Sequence, residues 1–224
     1  MDLERCHTWI VIAAYNEGAV IYDVVREITS AGWQVVVVDD GSSDRTAAQA
    51  RSAGATVLRH AVNLGQGAAL QTGIDFAIRR GARDVVTFDA DGQHSVGDIA
   101  PMVDALQDAD IALGSRFLGR VEGATRGRVL LLWAAVVLSN RLSRLKLSDA
   151  HCGLRAFRAA AAPRLRLTQN RMAHASELLH KIKESGLRVV EVPVTVRYTE
   201  HSMTKGQSGF QVVRILFDYF FRTS

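Results

Sequence analysis

Asp84-Val85-Val86-Thr87-Phe88-Asp89-Ala90-Asp91-Gly92-Gln93-His94 is an apolar run that stops abruptly in two carboxylates one residue apart. Val85, Val86 and Phe88 predict a short buried strand, so Asp89 and Asp91 emerge at its end and can point the same way. Two hard oxygen ligands there suit Mg²⁺ or Mn²⁺, which bind one or two protein carboxylates together with substrate phosphates. The Gln93 carbonyl is a candidate third oxygen. Taken alone, a D-x-D tripeptide after a strand is better explained by polar turn chemistry. The surrounding chain has to decide.

The stretches before it repeat one unit. Thr8-Trp9-Ile10-Val11-Ile12-Ala13 is β-rich and runs into Ala14-Tyr15-Asn16-Glu17-Gly18, after which Val20, Val24, Val25 and Ile28 recur at helical spacing as far as Gly32. Residues 35–38 predict a second buried strand, closed by Asp39-Asp40-Gly41-Ser42-Ser43-Asp44, whose Ser and Asp side chains can cap a helix reaching Ala53. A third strand over 55–58, the glycine-rich turn Asn63-Leu64-Gly65-Gln66-Gly67 and a helix over 68–80 lead to the strand that carries Asp89 and Asp91. Strands alternating with helices predict an α/β fold: a Rossmann-like, mostly parallel sheet with helices on both faces. Ligands of such sheets lie beyond the carboxyl ends of the strands. The polar clusters at 13–17, 39–44 and 89–94 all fall there.

The 224 residues, 48% of them hydrophobic, suffice for one substantial core, and a single domain over 1–224 is expected. No stretch reaches the ~18 apolar residues that cross a bilayer, and the chain does not open on a basic start followed by an apolar signal core. A cytoplasmic protein is therefore expected. Cys6 and Cys152 are too few for a disulfide framework or a thiolate metal site, so reduced thiols are expected. The net charge of +4 invites an anionic partner. Without zinc-finger spacing, a helix-turn-helix cue or an aromatic RNA-binding strand, nucleic acid is not that partner.

Downstream, residues 96–107 predict a helix and 111–113 a strand. Seven cations then gather, Arg116, Arg120, Arg126, Arg128, Arg141, Arg144 and Lys146, against the single acid Glu122. Inside this stretch residues 129–138 form an apolar run without a polar stripe, read here as a core helix, with a helix at the membrane interface as the alternative. After Asp149-Ala150-His151-Cys152-Gly153-Leu154-Arg155 come a helix over 175–185, a strand over 188–196, a polar loop and a last amphipathic helix over 207–222. In that last helix Gln207, Gln211, Arg214, Asp218 and Arg222 draw one narrow polar stripe on an aliphatic and aromatic surface. It can lie in the membrane interface, pair two subunits in a homodimer, or pack on its own domain; the interface is favoured.

Six motifs carry a family resemblance: Ala13-Ala14-Tyr15-Asn16-Glu17, Asp39-Asp40-Gly41-Ser42-Ser43-Asp44, Asn63-Leu64-Gly65-Gln66-Gly67-Ala68-Ala69-Leu70, Asp89-Ala90-Asp91-Gly92-Gln93-His94, Gly114-Ser115-Arg116 and Asp149-Ala150-His151-Cys152-Gly153-Leu154-Arg155. Each alone is weak; in this order, over nearly the whole chain, they resemble family 2 glycosyltransferases of the GT-A fold. The branch is similar to dolichyl- or polyprenyl-phosphate sugar (mannose or glucose) synthases. The resemblance implies that Ala13, Tyr15, Asn16, Glu17 and Asp40, with Ser42, Gly65, Gly67 and Asp89, bind the nucleotide. It implies that Asp89, Asp91 and Gln93 hold Mg²⁺ or Mn²⁺ on the diphosphate and that Arg116 and Arg128 hold an acceptor phosphate. Asp91, Asp149 and Arg116 are then the catalytic set. The chain departs from many relatives at Ala13 (Pro), Gln66 (Lys) and Cys152 (Ser), and has Leu132 where a hydroxyl residue is expected one turn beyond Arg128. It lacks the membrane-spanning tail of some relatives, so contact with the inner membrane face is expected to be peripheral.

A GDP- or UDP-sugar donor leaves as a diphosphate whose charge grows as the anomeric bond breaks, and a divalent ion lowers that barrier. Glu17 and Asp40 would repel phosphate but accept hydrogen bonds from ribose or a base N–H; helix capping is the plain alternative for Asp40, and a helix-start turn for Gly65 and Gly67. The guanidinium forks of Arg116 and Arg128 match phosphate oxygens, with a solvated basic loop as the alternative. A phosphate acceptor is already anionic at neutral pH, whereas an alcohol needs a base; Asp149 is either that base or the residue that orients Arg116. His94, His151, His174 and His201 lack zinc spacing and read as surface or supporting residues. Glu177 either faces the acceptor pocket or is simply exposed.

The expected activity is inverting transfer of a sugar to a polyprenyl (dolichyl or undecaprenyl) phosphate at the cytoplasmic membrane face. Its rivals are transfer to a saccharide hydroxyl in cell-surface polysaccharide synthesis, a sugar nucleotidyltransferase, and a catalytically silent sugar-nucleotide binding module. The nucleotidyltransferase loop, G-x-G-T-R, is not matched at Ala13-Ala14-Tyr15-Asn16-Glu17, and the presence of both Asp89 and Asp91 speaks against silence.

Overall fold

Short runs that are apolar at every position make strands covered on both faces, and the first half of the chain is built from them. A computed structural model describes residues 3–143, 146–149, 152–169 and 173–198. A short helix α1 (Leu3–Cys6) precedes β1 (Thr8–Ala14), α2 (Ile21–Ser30), β2 (Gln34–Asp39), α3 (Thr46–Ser52), β3 (Thr56–Arg59), α4 (Gln66–Arg79) and β4 (Asp84–Thr87). Then follow α5 (Ile99–Asp104), flanked by 3₁₀ turns, β5 (Ile111–Glu122), α6 (Arg126–Ser143), β6 (Arg155–Arg158), a 3₁₀ segment (Ala159–Leu165), α7 (Ala173–Ser185) and β7 (Val189–Arg197). The strands form a seven-stranded sheet in the order β3-β2-β1-β4-β6-β5-β7. β1 to β4 pair in parallel, and so do β5 and β7. β6 alone among the described strands runs antiparallel, between β4 and β5.

Alternate residues of each strand feed two cores. Ile10, Ile12, Val35, Val37 and Val86 meet α2, α3 and α5 through Ile21, Val25, Ile28, Ala50, Ile99 and Met102. Trp9, Val11, Val36 and Val85 meet α4 and α7 through Leu70, Ile74, Ala77 and Ile182. Each such aliphatic side chain contributes about 1.5–3 kcal/mol when fully buried. Helix α4 packs directly on the sheet at Gly73, where a Cβ would stand 2.4 Å from Val11 Cγ1.

The α/β architecture with a mostly parallel sheet is as expected, and three elements differ. The strand expected over 111–113 continues to Glu122, with a break in register between Ser115 and Arg120 where it leaves the core. The strand β6 was not foreseen. The helix expected to be core over 129–138 is α6, and it buries Ala135 and Val136 but leaves Leu130 (66% exposed), Leu131 and Trp133 (55% exposed) facing outward among the described residues. Its run over 129–138 is apolar on every side, and part of it faces away from the core. The helix expected over 207–222 lies outside the described residues. Among those described, no helix is long and apolar enough to cross a membrane.

Candidate active site

On the β1–β2 side, the two polar loops at the strand ends lock into each other. Asn16 N donates to Ser42 Oγ (2.9 Å), Ser43 N to Asn16 Oδ1 (2.9 Å), Glu17 N to Thr46 Oγ1 (2.8 Å) and Gly18 N to Asp44 Oδ2 (2.9 Å). Asp44 Oδ1 also accepts at 2.9 Å from Thr46 N, the first N–H of α3. Asn16 sits at φ 56°, the left-handed region that asparagine tolerates better than most residues. Ser42 and Asp40 are buried, whereas Tyr15 is half exposed over the loop.

Asp40 is held by the turn that precedes α4. Its carboxylate accepts from Leu64 N (2.9 Å), Gly65 N (2.7 Å) and His60 Nδ1 (2.7 Å), and so fastens the glycine turn that starts α4. A carboxylate has about four acceptor sites, which leaves room for one further donor. Gly65, at φ 97°, is a backbone position that favours glycine.

Beyond β4, Asp89 Oδ2 is 3.0 Å from His94 Nε2, and the His94 ring stands edge-on to Phe88. Asp91 accepts from Gln93 N (3.1 Å) and Gln93 Nε2 (2.8 Å), so Gln93 turns its NH₂ rather than its carbonyl toward Asp91. Burial opposes charge on Asp89, yet the His94 contact, with Arg155 and Arg116 nearby, holds its carboxyl below the usual value. Asp91 goes the other way: burial, then the charge of Asp89, push it up to about 6 despite the Gln93 bond. Two carboxylates driven apart in this way concentrate negative charge that a divalent cation would offset. The described residues contain no cluster of three or more His, Cys, Asp or Glu fit for a metal. A carboxylate pair nonetheless fits Mg²⁺ or Mn²⁺, which take most remaining ligands from phosphates and water.

On the β5–β7 side, Arg116 of β5 is buried and donates from Nε to Asp149 Oδ2 (2.5 Å) and from Nη1 to the Tyr198 hydroxyl (2.8 Å). Burial works against its charge, but Asp149 and Tyr198 raise its pKa above the ordinary value. Arg128, in the first turn of α6, lies over the same Tyr198 ring at 4.6 Å from the centroid. Asp149 therefore faces Arg116. Glu191 of β7 fixes this loop by accepting from Ser148 N (2.8 Å) and Asp149 N (3.2 Å).

The sheet thus brings Asp89, Asp91, Gln93, Arg116, Arg128 and Asp149 to one rim, with the 13–17 and 39–44 loops beside them. Arg120, Arg141 and Lys146 are exposed and take no part, and Arg144, His151 and His201 lie outside the described residues. His94, expected on the surface or in support, is buried and supports Asp89. Glu177 belongs elsewhere: it accepts from Thr168 N (3.0 Å) and Gln169 N (2.8 Å) and pairs with Lys181. Tyr198 and Glu191 escaped the sequence analysis, and the buried Arg155 was quoted there in a motif but given no role. Tyr198 had a signal, because Val192, Val194, Val196 and Tyr198 continue one inward alternation on β7.

The model of glycosyl transferase family 2 matches residues 9–166. The UDP-N-acetylglucosamine–dolichyl-phosphate N-acetylglucosaminyltransferase of Methanococcus voltae is 30% identical over 91% of this chain and 92% of its own length. The polyprenol monophosphomannose synthase of Mycolicibacterium smegmatis is 31% identical over 94% of this chain and 84% of its own. Among solved structures, glucosyl-3-phosphoglycerate synthase from Mycobacterium tuberculosis, in complex with Mn²⁺, UDP and glucosyl-3-phosphoglycerate, shares the fold with a TM-score of 0.68 at 21% identity, over 94% of this chain and 78% of that one. The described side chains gathered on one rim of a GT-A sheet and the match over most of the chain have one conclusion: the protein belongs to glycosyl transferase family 2, whose members move sugars between molecules.

Proposed function

We propose that the protein transfers a sugar, with inversion, from a nucleotide-sugar donor to a polyprenyl phosphate drawn from a membrane face. The observation that carries this is the convergence of Arg116 and Arg128 on Tyr198, across the carboxylate pair from the interlocked loops. In the sheet order, β2 and β1 offer a nucleoside side, β4 the two carboxylates, and β5 with β7 a second anion side. Asp89 and Asp91 would hold Mg²⁺ or Mn²⁺, which offsets the charge that grows on the departing diphosphate. Residues 13–17 with Asp40 and Ser42 hold the nucleoside. Arg116 and Arg128 hold the acceptor phosphate, whose second pKa of about 6 leaves an anionic oxygen at neutral pH. That oxygen attacks the anomeric carbon opposite the leaving diphosphate: the new C–O bond forms as the old one breaks, and the configuration inverts.

No base is required, in keeping with an Asp149 committed to Arg116. A saccharide hydroxyl would need one, which counts against the rival acceptor. The outward apolar side of α6, with Leu130 and Trp133 close behind Arg128 in the same helix, offers the prenyl chain or its bilayer a surface. The names of the two relatives, one specifying dolichyl phosphate and one polyprenol, point the same way.

The test is a panel of UDP-N-acetylglucosamine, UDP-glucose and GDP-mannose with Mn²⁺ and undecaprenyl phosphate, followed by mass spectrometry. One donor should yield a prenyl-linked sugar, and chelation of the metal should stop it. A product on a saccharide acceptor with none on the lipid would overturn the proposal.

A further inference from the structure

Tyr198 touches both arginines by different parts of one side chain. Its hydroxyl accepts from Arg116 Nη1 at 2.8 Å, and its ring lies 4.6 Å beneath the Arg128 guanidinium carbon. Arg116 is also held from behind by Asp149, through Nε and through its backbone N–H, so its guanidinium is fixed at two corners. Arg128 stands in the first turn of α6, on a different element from Arg116 in β5. The Tyr198 phenol links the two cations.

The backbone around Tyr198 is equally constrained. Tyr198 N donates to Glu122 O at 2.9 Å, and a Cβ on Gly123 would stand 2.5 Å from Tyr198 O, so the turn between β5 and α6 closes tightly over it. One residue earlier, Arg197 N donates to Gln93 O at 2.8 Å, and Val196 forms an isolated bridge with His94. Three successive residues therefore grip the carboxylate loop on one side and both arginines on the other. Like charges brought together repel one another; a phenol oxygen facing one guanidinium and a π-face beneath the other favour both where they stand.

We propose that Tyr198 is a positioning residue that sets the separation of Arg116 and Arg128, and with it the width of the acceptor-phosphate cradle, in register with the Asp89–Asp91 loop. The inference rests on the assignment of the two arginines to the acceptor phosphate. Tyr198→Phe removes the hydroxyl alone and keeps the ring under Arg128; Tyr198→Leu removes both.

The experiment is isothermal titration of the full chain with citronellyl phosphate, a soluble prenyl phosphate, and separately with UDP and with GDP in the presence of Mn²⁺. Thermal melting of each variant serves as a check on folding. Tyr198→Phe should weaken citronellyl phosphate about tenfold, since a hydrogen bond to a charged group is lost, and Tyr198→Leu by a further two- to fivefold. Nucleotide affinity should not move. In an Arg116→Ala background, Tyr198→Phe should add almost nothing, because the two share one interaction.

If citronellyl phosphate fails to bind the native chain, or Arg116→Ala and Arg128→Ala leave its affinity unchanged, the acceptor assignment falls, and the inference with it. If both arginine variants weaken it while Tyr198→Phe does not, the positioning role alone is wrong. Equal losses of prenyl phosphate and nucleotide in a folded Tyr198→Phe would show a general structural role and overturn the inference.

Discussion

Replacing Gly153 by alanine isolates what holds the carboxylate pair in place. A Cβ at this position would stand 2.1 Å from Asp89 Oδ2 and 2.5 Å from its Cγ, whereas real Cβ atoms essentially never come within 3.0 Å. One partner must therefore retreat by about 1 Å. The loop is pinned, because the Gly153 carbonyl accepts from Thr87 Oγ1 at 2.8 Å and the next residues enter β6. The Asp89 carboxylate gives way, and it leaves His94 as it does so. A hydrogen bond to a charged group contributes about 1.5–3 kcal/mol when buried. Asp89 has 32% of its side chain exposed, so about 1–2 kcal/mol is a fairer cost. In a chain of this size that lowers Tm by roughly 2–8 °C, and the protein stays folded. Function should suffer far more, because displacing a reacting constellation by 1 Å costs on the order of 100-fold. Mn²⁺ affinity by electron paramagnetic resonance, measured with UDP, should fall along with transfer. Gly127→Ala, whose Cβ would meet nothing within 4 Å, is the control. A folded Gly153→Ala that binds Mn²⁺ and transfers sugar like the native chain would refute both the contact and the metal assignment of Asp89.

Two further outcomes concern Cys152 and Glu177. Burial pushes the Cys152 thiol up to about 12, and Asp149 adds to it; iodoacetamide at pH 8 should therefore spare Cys152 in the native chain, and peptide mapping that found it alkylated before unfolding would refute its burial. The Glu177 carboxyl starts from 4.5 and is lowered, since bonds from Lys181, Thr168 and Gln169 outweigh burial. A lowered folded value means its stabilisation is complete above the unfolded value and disappears as pH falls through the folded one. Glu177→Gln should thus cost about 1 kcal/mol in urea melts at pH 7 and progressively less in acid, and a pH-independent difference would rule out the charge as its origin.

The first half of the fold was legible because its strands are continuous apolar runs and its helices carry apolar residues at regular spacing; α2 buries Ile21, Val24, Val25 and Ile28, which recur at helical intervals. Legibility failed where side chains serve the site rather than the core. The outer part of β5, after Ser115, contains Arg116, Gly119, Arg120 and Glu122, and no strand pattern survives there. It is a strand because it pairs with β7, and a Cβ on Gly119 would meet Val194 O at 2.2 Å, a closeness that spacing alone does not encode. Arg116 could be placed by resemblance, but its partner Tyr198 stood just past the point where the strand was expected to end. The apolar run of α6 was read as core because composition does not tell which side of a helix meets the domain.

The least legible element, β6, is also the one that assembles the site. It has four residues with arginine at both ends and follows Cys152-Gly153-Leu154, so neither alternation nor length marks it as a strand. Its direction matters more than its length. A parallel strand beside β4 would receive the chain at the amino end of the sheet, a strand's length from Asp89. Because β6 runs antiparallel, its first residue, Arg155, lies opposite Thr87 at the carboxyl end of β4. The segment just before it is therefore delivered to the same rim as the carboxylate pair. That one reversal places Gly153 against Asp89 and carries Asp149 to Arg116. It also puts the buried Arg155 close enough to help keep Asp89 charged. The Asp89–Asp91 loop and the pair Arg116 and Arg128 are thus coupled twice, through β6 on one side and through residues 196–198 on the other, although some 60 to 110 residues separate these segments from Asp89 in the chain.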